Sequence, residues 1–418
     1  MSERIPEGWV IDKVGNYICE YSKKCVVDGE YEVLTSSKSG LIRQTDYYGE
    51  NRITRKCTIG FNIVPHKFIT YRSRSDNNRF TFNKNNLGII GLVSKYYPVF
   101  THKCGDTYNQ FLTYLVNFHS DKFALESVGT SQLVLSLSAV KSVKLMFPSL
   151  PEQQEIAKIL TSVDDVIEKT QAQIDKLKDL KTGMMQELLT KGVGVDGKPH
   201  TEFKDSPVGR IPKDWVACSM GSVSNLITKG ATPTTSGHSY ASEGIRFYRS
   251  VNASEDGTLI LDDVRYISSD ADEQLKRSSL QRGDVVLSIV GAKTGKTFFL
   301  IDDLSPLPAN INQNIALVRV NKGRVLPEYL KYFISSAAFQ LQVDREITTQ
   351  AQPSLSLKQV GDFILPVPHL SEQIEIVESL NSLSNVLAVK LTKLTHFQSL
   401  KKALMQDLLT GKVRVTID

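Results

Sequence analysis

Residues Pro148-Ser149-Leu150-Pro151-Glu152-Gln153-Gln154-Glu155-Ile156 return 220 positions later as Pro368-His369-Leu370-Ser371-Glu372-Gln373-Ile374-Glu375-Ile376, with six of nine positions identical. The register then holds without a gap to Met185-Gln186-Glu187-Leu188-Leu189-Thr190, which faces Met405-Gln406-Asp407-Leu408-Leu409-Thr410. Between Glu152 and Leu189, apolar or small side chains recur at Ile156, Leu160, Val163, Ile167, Thr170, Ile174 and Leu177, in alternating steps of four and three. That is the seam of a coiled coil. Ser149, Pro151 and Glu152 form its start signal, and Gly192 and Gly194 stop it. A helix of this length, 38 residues, spans roughly 57 Å. After Leu177 the order slips: either Leu180 enters the seam through an extra three-residue step, or Lys181 stays in it. The second copy puts Ile376, Leu380, Leu383, Leu387, Leu391, Leu394, Leu404 and Leu408 in the seam and ends at Gly411. Two such helices in one chain are expected to pair antiparallel.

A second echo precedes each helix: Ile5-Pro6-Glu7-Gly8-Trp9 and Ile211-Pro212-Lys213-Asp214-Trp215. Each half is therefore a Trp-marked start, a body and a shared helix. The bodies are mixed. In the first, strands are expected at Tyr31–Thr35, Lys67–Tyr71 and Gly88–Val93, with a helix over Gln110–His119. In the second, strands are expected at Asp284–Val290 and Asn314–Val320, with a helix over Pro327–Ser335. The expected division is a body over 1–147, a helix over 148–191, a Gly/Pro-rich surface connector over 192–210, a second body over 211–367, a second helix over 368–411 and a tail over 412–418. The fold class is α+β, with two mixed α/β bodies joined by an antiparallel coiled coil in a pseudo-twofold repeat.

The chain has 418 residues, 41 % hydrophobic and 23 % charged, the make-up of an ordinary globular protein. It holds no apolar run of membrane-spanning length, and its start resembles neither a signal nor a transit peptide, so no membrane association and a cytoplasmic location are expected. Its five cysteines form no CxxC pair, which points to reduced thiols and gives no support for zinc. The net charge of +5 is unevenly spread. Residues 38–103 hold twelve Lys/Arg against Asp46, Glu50 and Asp76, a net +9 and a footprint for a polyanion, whereas residues 225–350 are neutral.

Catalytic boxes are missing. Gly291-Ala292-Lys293-Thr294-Gly295-Lys296-Thr297 is one residue short of a phosphate-binding loop, and no acidic strand end follows to hold magnesium. It reads better as a tight turn between strands, with two exposed lysines. No GxGxxG, GxSxG or HExxH string occurs, and the carboxylates form no convincing nuclease cluster. The candidates for contact with nucleic acid are Arg43, Arg52, Arg55, Lys56, Arg72, Arg74, Arg79 and Lys84, interleaved with Tyr47, Tyr48, Tyr71, Asn83 and Asn85. In the second body they are Arg246, Arg249, Lys293, Lys296, Asn312, Gln313 and Asn314. Arginine can contact guanine bidentately, asparagine adenine, and lysine the phosphates. An enzyme using ATP or S-adenosylmethionine, and a pure protein scaffold, are the competing classes. The missing boxes weigh against the first and the +9 segment against the second.

The paired PSLPEQQEI and VPHLSEQIEI openings, the paired MMQELLTKG and LMQDLLTGK endings, and the Trp9 and Trp215 starts resemble those of the specificity subunit of type I restriction-modification systems. LTSSKSGLIRQTDYY (34–48) is similar to its first recognition domain. GDVVLSIVGAKTGKT (283–297) and NINQNIALVRV (310–320) are similar to its second. The resemblance covers the whole chain. It implies a non-catalytic subunit whose two target-recognition domains each bind one half of a split double-stranded DNA site, with the helices as spacers and as a docking surface for methyltransferase (modification) subunits. It implies no cofactor in this chain. S-adenosylmethionine is expected in the modification partners, and ATP and magnesium (Mg) in motor-nuclease (restriction) partners.

Overall fold

The computed structural model describes residues 5–37, 40–49, 57–75, 77–130, 132–194, 197–254, 257, 259–299, 307–347 and 353–417. Contacts divide the chain into two units, Met1–Ala172 with Thr392–Asp418, and Gln173–Leu391. Each unit therefore contains one body, part of the first long helix and part of the second.

The two bodies share one plan. In the first unit a four-stranded antiparallel sheet runs in the order Ile18–Glu20, Val99–His102, Ile69–Tyr71, Phe82–Lys84. The second unit repeats the order with Ser224–Lys229, Ile315–Val320, Val285–Ser288 and Thr297–Phe299. A second sheet follows the same rule. Glu32–Ser37 pairs antiparallel with Gly40–Arg43 and parallel with Gly91–Val93; Ile245–Tyr248 pairs antiparallel with Arg265–Ile267 and parallel with Ala309–Ile311. The expected strands and helices are found within a few residues, the helices as Asn109–Phe118 and Pro327–Ile334. Fully apolar runs such as Val285-Val286-Leu287 are buried on both faces and join two hydrophobic clusters, one on each side of the sheet.

The long helices are Leu150–Lys191 and Leu370–Leu408. The first begins right after Ser149 and ends just before Gly192, where the sequence signals placed its limits. In the first unit its start packs with Leu404 and Leu408 of the second helix and with Leu409 just beyond it, around Ile156 and Leu160. In the second unit Leu188 and Leu189 pack around Ile376 and Leu380. The pairing is antiparallel, as expected. The slip after Leu177 resolves in favour of Lys181: Leu180 is 51 % exposed, and the Lys181 ammonium reaches over the Tyr332 ring, 6.0 Å from its centroid. No stammer is needed, because the seven-residue register runs on with a lysine in the seam. Leu391 is corrected too. It is 41 % exposed, since the seam position equivalent to Thr170 is Lys390, whose ammonium donates to Gln173 at 2.8 Å.

Candidate nucleic-acid interface

Each body is fastened to its helix by the repeated residues. Val10 pairs with Phe147, and Val216 pairs with Val367. This ladder sets the preceding tryptophan beside the first turn of the long helix. The Trp9 indole N–H donates to Glu152 at 3.1 Å, and that of Trp215 to Glu372 at 2.9 Å. Both carboxylates would be costly to bury alone, and each takes further partners from the segment that follows a long helix. Arg414 grips Glu152 through two nitrogens at 2.6 and 2.9 Å, and Glu152 raises the guanidinium above its ordinary value. His200 and the Val193 amide each approach Glu372 to 2.9 Å. The connector is thus tied down: Phe203–Lys204 also pairs with Ile211–Pro212. Gly192 and Gly411 adopt φ near +67° and +68°, and a Cβ on either would collide with the adjacent tryptophan pocket.

The next repeated residue does a different job. Gln153 is buried and accepts from the Thr107 hydroxyl at 2.8 Å and the Tyr108 amide at 2.9 Å, while donating to the Pro148 carbonyl. Gln373 accepts from the Leu326 amide at 2.8 Å and donates to the Arg324 and Pro368 carbonyls. Each amide thereby caps the entry to the body's helix, Asn109–Phe118 or Pro327–Ile334. Those helices send back matching tyrosines. Tyr114 donates to Asp164 at 2.6 Å, with Lys401 on the same carboxylate, and burial pushes its hydroxyl pKa up. Tyr332 donates to Asn381 at 2.6 Å.

With the two bodies in register, the connection between the third and fourth strands of the main sheet is the same element in each. In the first body it is residues 72–81, with Arg72, Arg74 and Arg79. In the second it is residues 289–296, with Lys293 and Lys296. No motif or spacing marks these stretches as equivalent.

In the first connection Tyr71, Ser73 and Ser75 point inward while Arg72 and Arg74 are exposed, the alternation of a strand. Arg79 is exposed beyond the Asn77-Asn78 tip, where Asn78 takes a left-handed φ of 57° that asparagine tolerates. Tyr96, absent from the sequence candidates, lies under Arg74 and beside Lys95, and is itself 51 % exposed. Its only sequence signal was position, next to a lysine between two strands.

The other candidates are placed differently. Arg43 is paired with Glu32 at 2.5 Å. Lys84 is half-buried against Gln110, and burial holds its ammonium below the usual lysine range. Arg52, Arg55 and Lys56 lie outside the described residues. Tyr71, Asn83 and Asn85 are buried in the first body: Tyr71 bonds the Leu135 carbonyl, Asn83 that of Ser37, and Asn85 that of Val64.

In the second body Arg249 bonds Asp263 at 2.5 Å, and Arg246 is half-buried on its strand. Lys293 was expected to be exposed. It is half-buried instead, because its ammonium satisfies the Ala253 carbonyl at 2.6 Å and the Val251 carbonyl at 3.3 Å. Lys296 is half-buried as well. Asn312 is buried and holds the Asn314 amide, leaving Gln313 exposed with its carbonyl taken by Thr232. The 291–297 string is indeed a turn between antiparallel strands. Among the described residues no three His, Cys, Asp or Glu side chains are grouped to hold a metal, and no helix is long and apolar enough to cross a membrane. The five cysteines are free thiols.

A model of the type I restriction modification DNA specificity domain matches the chain twice, over residues 13–179 and 212–400. The chain belongs to this family. It is a type I specificity subunit with two DNA specificity domains. Among its relatives, the type I restriction enzyme MjaVIII specificity subunit of Methanocaldococcus jannaschii is 26 % identical over 99 % of this chain and 94 % of its own. The EcoBI specificity subunit of Escherichia coli is 25 % identical over 60 % of this chain and 53 % of its own. The S subunit of a type I system from M. genitalium shares the fold with a TM-score of 0.60 at 12 % identity, covering 98 % of this chain and 97 % of that one. A chain from a structure addressing assembly and conformational transition of the type I system superposes with a TM-score of 0.52 at 16 % identity, covering 98 % of this chain and all of that one.

Proposed function

We propose that this specificity subunit is a non-catalytic reader of a bipartite double-stranded DNA site. One recognition domain (1–147) takes one half-site and the other (211–367) takes the second. The helices over 148–191 and 368–411 serve as spacers and as the docking surface for methyltransferase subunits. Methylation, with S-adenosylmethionine, and cleavage by motor-nuclease subunits, with ATP and magnesium, would reside in those partners, in the cytoplasm. The observation that carries this reading is the unlike chemistry of equivalent connections. One plan of strands, with one set of Trp–Glu and Gln contacts, presents three exposed arginines in one body and two half-buried lysines in the other. Matching frames with different heads suit an asymmetric split target.

The test is to map methylated adenines in the host genome with this chain present and then deleted. A motif of two unlike halves around a fixed gap, lost on deletion, is expected. Methylation that persists unchanged would overturn the reading. So would tight binding of ATP or S-adenosylmethionine by the purified chain alone.

A further inference from the structure

We propose that Arg74 reads a guanine in the half-site of the first domain, using Tyr96 as the platform that holds its guanidinium ready, while Arg72 and Arg79 anchor phosphates. The inference rests on the DNA-reading function above and adds a division of labour among three arginines that charge alone treats as equal.

Of the three, Arg74 alone lies in a paired strand. Arg74 and Ser75 form a ladder with Val134 and Leu133, so the backbone that carries the guanidinium is fixed. Its guanidinium carbon lies 4.7 Å from the Tyr96 ring centroid, and the Lys95 ammonium is 5.3 Å from the same ring. The platform is itself anchored. The Ser73 hydroxyl donates to the Tyr96 carbonyl at 2.6 Å, and the Tyr97 amide closes the turn onto the Ser94 carbonyl at 2.8 Å. Strand and turn are thus tied one residue away from the stacked pair.

A guanidinium held against a ring has already given up much of its rotamer freedom, and its N–H edges remain available to a ligand. A fork of donors with a fixed position is what bidentate contact with guanine O6 and N7 requires. Contacts to phosphate need charge but not this degree of placement. Arg72 and Arg79 lie outside the paired strands, and Arg79 follows a turn organised by the Ser75 hydroxyl, which accepts from the Arg79 amide at 3.1 Å. Arg43 and Lys84 are weaker candidates, because each already has a partner, Glu32 and Gln110.

The test uses the full chain expressed with its methyltransferase partners, and compares the methylated motif and duplex binding for Arg74→Lys, Tyr96→Ala, Tyr96→Phe and Arg72→Ala. A lost bidentate contact should cut discrimination roughly 5- to 150-fold at the affected base pair. Arg74→Lys is expected to relax one guanine position in one half-site and leave the other half-site unchanged. Tyr96→Ala should relax the same position in part, whereas Tyr96→Phe keeps the ring and the motif. Arg72→Ala should weaken binding to all sequences alike and lower the salt slope by about one. The assignment is overturned if Arg74→Lys leaves every position of the motif intact, or if Arg74→Lys and Arg72→Ala both weaken binding uniformly. A wild-type chain that directs no motif would instead refute the DNA-reading function, a separate failure visible before any variant is made.

Discussion

The contact between Glu152, Trp9 and Arg414 can be tested quantitatively, because the chain's two tryptophans fall one in each unit. With Trp215→Phe as background, the fluorescence of Trp9 reports the first unit alone. The perturbation is Glu152→Gln, which keeps the shape and removes the charge. The Glu152 side chain is only 2 % exposed and takes one bond from Trp9 and two from Arg414. Bonds to a charged group contribute about 1.5–3 kcal/mol and neutral ones about 0.5–1.5. The indole bond should therefore weaken by about 1 kcal/mol. The Arg414 side chain is 43 % exposed, so water can replace its partner, and its loss is discounted to about 1 kcal/mol. The expected destabilisation is about 2 kcal/mol. With a urea m-value of about 2 kcal/mol/M, the Trp9 midpoint should fall by roughly 1 M.

Arg414→Ala should reproduce about half of that shift. In a double-mutant cycle the two substitutions should couple by about 1 kcal/mol. A Trp9 midpoint unchanged within roughly 0.2 M in Glu152→Gln would refute the reasoning, and a coupling near zero would refute the role of the tail in it.

Truncation can test the helix seam, with Trp215 as reporter. Ile174→Ala removes a fully buried side chain and should cost about 2–5 kcal/mol, whereas Leu180→Ala should change stability by less than about 0.5; equal losses would restore the stammer. Adding one helical turn to both long helices, about 5.4 Å each, should shift the preferred gap between half-sites by one or two base pairs at about 3.4 Å per pair, as read from the methylated motif. An unchanged gap counts against a spacer role. Binding to the cognate duplex should weaken steeply between 50 and 200 mM salt, as counterions are released. Reversing the charge of Arg72, Arg74 and Arg79 should abolish that binding while partner subunits still co-purify, and loss of both together would point to misfolding or a scaffold role.

The frame was legible in the sequence because its signals are local and periodic. Heptad spacing marked the long helices, and runs such as Val285-Val286-Leu287 marked strands wherever they lie in the fold. The seam erred where a periodic rule met a single polar side chain. Lys181 and Lys390 occupy seam positions because each finds a partner there, the Tyr332 ring in one case and the Gln173 amide in the other. The cations were harder to sort, because the commitment of a lysine or arginine is settled by chains far away. Lys293 is held by carbonyls 40 and 42 positions back, and Arg249 by Asp263 on a neighbouring strand connection. Glu152, with its repeat at Glu372, carried a usable signal, but Glu152 was absorbed by the helix-capping rule. A carboxylate repeated together with a tryptophan more than a hundred positions away is better explained by contact between the two than by capping.

What repeats and what varies in this chain have separate physical tasks. The recurring Trp, Glu and Gln are buried or half-buried and bonded to one another, to backbone and to side chains such as Arg414, His200 and Thr107, so a change in any of them weakens the fastening of a body to its helix. The connection at 72–81 and its counterpart at 289–296 start from strands in equivalent places, yet their side chains are constrained mainly by their own turn and the elements beside it. Such a connection can exchange arginines for lysines without disturbing the fastening below it. On the proposed reading, binding preference could therefore change by substitutions that cost the fold little, provided the outward side chains keep a platform such as Tyr96 against which to be held. A head lacking one would, on the same reading, still attract phosphate but discriminate poorly among bases, since an unheld guanidinium must give up its ordering entropy at each site.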